Sequence, residues 1–179
     1  MRNLHPYLWA LLIILFPACE KEYYEGPEDQ AVYFEYHYLN FAWGAKDYGW
    51  MIDREGNVRG YENPTEYRWP DSSGYLSSED LEYNLSLTDT LLHHINAKEL
   101  ERHTKLISGA AEGALSDHSH RGADMGSSTL SCYAYDHNTG SYKHVLLSLS
   151  GDLEQINQSA EAGVLVDWLK EFGVADFHD

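Results

Sequence analysis

The chain has 179 residues, with 29 acidic against 12 basic side chains, a formal net charge of −17 and two cysteines. That length suits one domain with a real core and is short for two. So acidic a surface repels phosphate backbones and anionic head groups, which argues against nucleic acid as a partner and against membrane contact through basic patches.

The N-terminus carries the most specific signal. Leu8 to Phe16 is almost continuously apolar and follows Arg2. A membrane-spanning helix needs about 20 apolar residues, so this run is too short to cross. It suits the apolar core of a secretory signal peptide, about 7–15 residues, with the small Ala18 at the cut. Phe16-Pro17-Ala18-Cys19 resembles the lipobox of bacterial lipoproteins. It keeps the small residue and the cysteine and departs at Phe16, where a strict box has an aliphatic residue. Looser boxes of this kind are similar to those of Bacteroidetes-type lipoproteins. The resemblance implies cleavage before Cys19, a diacylglycerol thioether on its sulfur and acylation of the new amino group. Residues 1–18 are then a signal peptide, and the expected partner is a membrane, reached through lipid on Cys19, since two or more acyl chains anchor stably where one does not. Glu20 replaces the Asp of inner-membrane retention, which by the same resemblance implies the outer membrane. The acidic residues from Glu20 to Asp29 read as a surface-export tether or a solvated linker. Residues 19–30 form that tether and 31–179 a single globular domain. With Cys19 lipidated, Cys132 has no partner for a disulfide, and its place in the alternating LSCYAY predicts a small buried thiol.

Along the domain, AVYFEYHYL alternates and predicts a half-buried strand. Val32, Phe34, Tyr36 and Tyr38 share one face, and Tyr33, Glu35 and His37 the other. YGWMIDREGNVRGYE predicts a hairpin turning at Asp53–Asn57. Residues 62–77, with two prolines and a Ser/Gly cluster, read as a loop pinned by Tyr67, Trp69 and Tyr75. Ser78-Glu79-Asp80-Leu81 starts one helix, with acids in the first turn. Asn96 with Glu99 starts another, carrying Leu100, His103, Ile107, Ala110, Ala111 and Ala114 at helical spacing and ending between Gly109 and Gly113. TLSCYAYD and SYKHVLLSLS form a second hairpin about His137–Gly140. AEAGVLVDWLKEFG is a last helix with a Leu165/Trp168/Leu169/Phe172 stripe, closed by Gly173. Hairpins with helices grouped between and after them give an α+β fold: one domain, an antiparallel sheet, two or three helices packed on it.

Three features could carry chemistry. Asp117, His118 and His120 supply ligand types suited to Zn²⁺, and the H-x-H spacing resembles part of metallo-β-lactamase-type sites. That family continues to an Asp-His pair, whereas Arg121-Gly122 follows here; His93 and His94 are the remaining ligand candidates, and a polar loop that happens to hold histidines is the competing reading. Gly122-Ala123-Asp124-Met125-Gly126 is a tight turn or the edge of a site, without the glycine pattern of a phosphate cradle. The excess of 14 Tyr and 5 Trp suits stacking on sugars, but tyrosines are first of all good strand residues. Exposure of Trp43, Trp50 and Trp69 as one platform would favour a glycan partner, and burial of all three would remove that support.

YGWMIDREGNVRGY, GADMGSSTLSCYAYD and YKHVLLSLSGDLEQINQSAEAGVLVDWLKE are together similar to small uncharacterised lipoproteins of the Bacteroidetes type. The resemblance implies a coherent fold and an envelope address, and no activity comes with it. The expectation is a lipid-anchored, non-enzymatic interaction module of the outer membrane with an envelope protein or glycan partner and no cofactor. A glycan-binding surface lipoprotein is the alternative, and a metal-dependent hydrolase built on Asp117, His118 and His120 a more distant one.

Overall fold

The computed structural model describes residues 30–42 and 44–174. Cys19, the signal peptide, the tether as far as Asp29, and Trp43 lie outside the described residues. In chain order the elements are β1 (Val32–Asn40), β2 (Lys46–Asp53), β3 (Asn57–Glu62), β4 (Tyr75–Leu76), α1 (Ser78–Ser86), β5 (Thr90–His94), α2 (Ala97–Thr104), α3 (Ile107–Ala111), β6 (Ser119–His120), β7 (Ser127–Asp136), β8 (Ser141–Gly151), β9 (Leu153–Ile156), α4 (Ala160–Leu169) and a 3₁₀ turn, Lys170–Phe172. The strands form one antiparallel sheet in the order β5-β3-β2-β1-β7-β8-β9-β6, with β4 paired to β8 beside that path. The fold is α+β, as expected.

Both hairpins turn where their residues allow it. Gly56, at φ 82°, donates its N–H to the Asp53 carbonyl at 3.0 Å, and the Asp53 side chain accepts from the N–H of Glu55 and Asn57. Gly140 at φ 66° donates its N–H to the Asp136 carbonyl, four residues back, at 2.8 Å. A left-handed residue at this place is what the longer hairpin loops require.

One sheet face carries Phe34, Tyr36, Trp50, Ile52, Leu130, Cys132, Val145 and Leu147. These pack against Leu100 of α2, Ile107 and Ala110 of α3, and Leu165, Trp168 and Leu169 of α4. Phe34 meets Trp168 edge-on at 5.2 Å, and Trp168 meets Phe172 likewise at 5.3 Å. Burying each such side chain stabilises the fold by about 1.5–3 kcal/mol, so the predicted Leu165/Trp168/Leu169/Phe172 stripe does its expected work. Cys132 is fully buried in this layer. The helix expected from Asn96 onward is interrupted after Thr104. The Leu106 N–H bonds to the His103 carbonyl at 3.0 Å, a tight three-residue closure, and α3 resumes from Ile107, which keeps Ile107 and Ala110 facing the sheet.

The other face departs from expectation. β1 is buried on both faces, not half-buried. Val32, Met51, Tyr61, Leu76, Leu81, Tyr133 and Tyr142 form a second apolar cluster there, roofed by α1 and the segment before it. A bulge between Val32 and Phe34 moves Val32 onto this second face. The segment 62–77 is not only a loop: Tyr75 and Leu76 pair with Lys143 and Tyr142. Strands β5, β6 and β9 carry no clear alternation in sequence, since they are short and every β5 residue is exposed.

Candidate functional site

The second face places an acid where apolar residues would be expected. Glu35 lies in mid-β1 between its strand partners Met51 and Ser131, and it is only 4% exposed. An unpaired, unsolvated carboxylate at such a position would be very costly. Three phenols replace water around it. Tyr61 of β3 donates to Glu35 Oε1 at 3.1 Å, Tyr67 makes a very short bond to the same oxygen, and Tyr133 of β7 makes another to Oε2. Burial first, and the negative charge of Glu35 second, push all three tyrosines well above the ordinary phenol range. They therefore stay protonated at neutral pH and act as donors.

Tyr67 comes from a segment that has no ladder of its own, so its position needs explaining. Ser77 and Asp80 form a capping box at the start of α1. From that helix the fully buried Asn84 uses its carboxamide like a neighbouring strand. Its Oδ1 accepts from the Arg68 N–H at 2.9 Å, and its Nδ2 donates to the Arg68 carbonyl at 2.8 Å. The Arg68 guanidinium also meets Asp80 at 2.8 Å and lies 4.2 Å above the ring of Tyr83. With Arg68 held at both ends, its neighbours Tyr67 and Trp69 come to lie over the sheet.

They close over His37, which is two residues along β1 from Glu35 and on the same face. The His37 ring stacks on Trp69 at 5.0 Å, and Tyr67 meets Trp69 at 4.9 Å. His37 Nε2 lies 2.7 Å from Asp47 Oδ1; a carboxylate only accepts, so the ring donates from this nitrogen. Tyr67 as a whole is half-buried, with its hydroxyl reaching inward to Glu35. Trp69 is 56% exposed. On the other side His144 of β8 stands beside Tyr133, ring to ring at 5.6 Å, and burial holds its pKa below the ordinary imidazole value.

Between these side chains is a cavity of about 160 Å³. Glu35, His37, Thr129, Ser131 and His144 line it from the sheet, and Tyr67 and Trp69 line it from the covering segment. No Lys or Arg lines it. It therefore joins an exposed indole to a buried negative charge through a polar lining, which is chemistry suited to recognition.

The residues singled out in sequence lie elsewhere. Asp117, His118 and His120 are all exposed, and His120 pairs with Leu153 at the sheet edge. His93 and His94 are on β5, where His94 bonds to Asn57 and His93 lies against Phe172. Among the described residues no group of three His, Cys, Asp or Glu side chains is placed to hold a metal ion. Gly122–Gly126 is a turn tied to the start of β9. The Met125 N–H bonds to Asp152 Oδ1 at 2.8 Å, and the Asp152 N–H bonds to the Gly126 carbonyl at 2.9 Å. A larger cavity of about 530 Å³ opens beside this turn, near Leu39, Phe41 and Leu153. Two acids, Asp124 and Asp152, line it, the latter tied into the turn, but among the described residues it has no stacked aromatic at its mouth and neither acid is buried as Glu35 is. Trp50 is only 3% exposed, with Nε1 donating to the Gly173 carbonyl at 3.0 Å, which removes it from any sugar platform.

Sequence reasoning placed Glu35 and His37 on the outward face of a strand and so passed over them. The available signal was an acid and a histidine at alternate positions within an otherwise aromatic strand. Among the described residues no helix is long and apolar enough to cross a membrane. Comparison with family models, with curated proteins and with solved structures finds no match to this chain.

Proposed function

We propose that the chain is a lipid-anchored envelope protein whose domain is a non-enzymatic binding module, with the cavity beneath Trp69 as its recognition site. One observation carries the binding half. An exposed indole, stacked on His37 and in tilted contact with Tyr67, borders a cavity lined by a buried carboxylate and two hydroxyl residues. A pure core has no use for such a cavity, because a void lined with polar groups forgoes packing and satisfies no apolar side chain. The phenols around Glu35 favour binding over catalysis, since they are held protonated and both carboxylate oxygens accept bonds from them. A glycan platform would need several exposed rings in one plane. Trp69 is exposed and Trp50 is not, so the geometry favours a cavity that takes one small group over an extended sugar surface.

The address rests on Leu8–Cys19 and its likeness to a lipobox. Labelled palmitate should enter the wild-type protein and not Cys19→Ala, and protease added to intact cells should digest the anchored domain if it faces outward. Equal label in both variants sinks the anchor. For the binding half, the indole N–H resonance of Trp69 is followed while a neutral sugar, an alkylammonium and a carboxylic acid are titrated in turn. A saturable shift with any of them, reduced in Glu35→Gln, together with a weaker response of the His37 ring in Trp69→Ala, supports the site. No response of Trp69, His37 or His144 to any of the three would overturn it.

A further inference from the structure

We infer that the group bound in this cavity is an alkylammonium cation, presented either by a free amine or by a lysine side chain of a partner protein. The inference rests on the cavity being a binding site at all, and it names the ligand class. Three independent features point the same way. Glu35 brings a negative charge to the cavity wall, and no Lys or Arg among the lining residues neutralises it. Of the two imidazoles in the lining, His37 is already bonded to Asp47 at 2.7 Å, which adds a second carboxylate behind the wall, and His144 is held below the ordinary imidazole pKa by burial. The opening is bordered by Trp69 and Tyr67, whose ring centroids are 4.9 Å apart, and indole and phenol faces attract cations.

The phenols that satisfy Glu35 do not cancel its charge. They supply three donors, whereas a carboxylate offers about four lone-pair sites, so one acceptor direction remains on Oε2, which takes a single phenol. The same three donors explain why the acid tolerates burial before any ligand arrives. At about 160 Å³ the cavity suits an ammonium head with a few methylenes and is small for a pyranose ring with its hydroxyls. An anion is disfavoured by the lining carboxylate and by the chain's net charge of −17, and the overall field concentrates cations near the mouth.

The test uses the full-length chain, ¹⁵N-labelled and held in a non-ionic polyoxyethylene detergent, with tryptophan indole resonances followed by NMR. The probes are choline, n-butylammonium, Nα-acetyl-lysine methylamide, glucose, and 3,3-dimethylbutanol, which has choline's shape without its charge. Saturable shifts of the Trp69 indole are expected with the ammonium probes and not with the alcohol or glucose. The indole of Trp50, bonded internally to Gly173, should stay unchanged. Preference for the lysine compound over choline identifies a protein side chain as the source, and the reverse preference a free quaternary amine. Trp69→Ala, which lacks the indole and is followed through the backbone amides of Glu35, Thr129 and Ser131, should weaken binding about 2- to 30-fold, the range of a partly desolvated cation–π contact. Glu35→Gln should abolish the preference for choline over its neutral analogue. Because Glu35→Gln disturbs a buried network, Trp69→Ala, on an exposed ring, decides between the outcomes if that variant fails to fold. Equal binding of choline and dimethylbutanol, or binding of glucose alone, overturns the cation while leaving the cavity a binding site. No shift at Trp69 with any probe overturns both.

Discussion

Replacing Glu35 by Leu tests whether the phenol network is held together by that carboxylate. The substitution removes a buried charge, which by itself lowers the cost of burial, but it leaves three hydroxyls without their acceptor. Tyr61 and Tyr133 are both nearly fully buried, so their freed O–H groups cannot turn to bulk water, and Tyr61 keeps only a long 3.5 Å bond to the Tyr36 carbonyl. Each orphaned donor costs about 1–3 kcal/mol, which puts Glu35→Leu at roughly 2–6 kcal/mol of lost stability from these two alone. Tyr67 is half-buried and can recover part of its bond from solvent. Adding Tyr61→Phe and Tyr133→Phe to Glu35→Leu removes the orphaned donors along with the acceptor, and replacing all partners by apolar groups is often close to neutral. The triple variant should therefore regain most of the loss. Urea unfolding at pH 7, read from far-ultraviolet circular dichroism, measures each variant. A fully stable Glu35→Leu would refute the argument, as would a triple variant no more stable than the single one.

Acidification should destabilise the domain through His103, which stacks on Trp168 at 3.7 Å while its Nδ1–H donates to the Glu99 carbonyl at 2.8 Å. Burial holds its folded pKa below the ordinary value, so stability is unaffected above about pH 6.5 and falls as pH drops below that toward the folded pKa; a melting temperature equally steep in pH for His103→Phe would count against this. Gly49→Ala should cost about 1–3 kcal/mol, because a Cβ there would sit 2.0 Å from the Tyr36 carbonyl oxygen and 2.6 Å from the Tyr61 hydroxyl, and unchanged unfolding would show that the strand yields freely. Cys132 is inaccessible and burial raises its thiol pKa far above normal, so an aromatic disulfide reagent should modify it only after unfolding, and rapid labelling of the native protein would contradict the packing. Asn84→Ala should free Arg68 and loosen Tyr67 and Trp69, broadening the Trp69 indole resonance while leaving Trp50 sharp; identical line shapes in both proteins would show that Asn84 does not position the covering segment.

Local rules were legible where a residue acts on its near neighbours. The turns at Gly56 and Gly140, the cap at Asn96, the helix start at Ser78 and the apolar stripe of α4 each need only a few adjacent residues. The alternation of β1 likewise holds for Phe34, Tyr36 and Tyr38, all on the helix-covered face. The short strands β5, β6 and β9 were not legible: β5 and β6 pair with segments about 30 residues away, and β9, although it folds straight back on β8, is too short to show a period of its own. The break after Thr104 was also invisible, since helical spacing continues across it while the backbone does not.

The sequence by itself determined the α+β class, the hairpin turns and the buried thiol, all of which follow from short-range periodicity and from the geometry of Gly, Asn and Ser. Only the tertiary structure decided what Glu35 is. In the strand's own pattern it is a polar residue on a wet face. Tyr61, Tyr67 and Tyr133 reach it across 26, 32 and 98 positions of sequence. Whether a carboxylate faces water or phenols depends on which segment covers the sheet. That covering is set by Asn84 holding the backbone of Arg68, a contact between side chain and main chain that no spacing rule encodes.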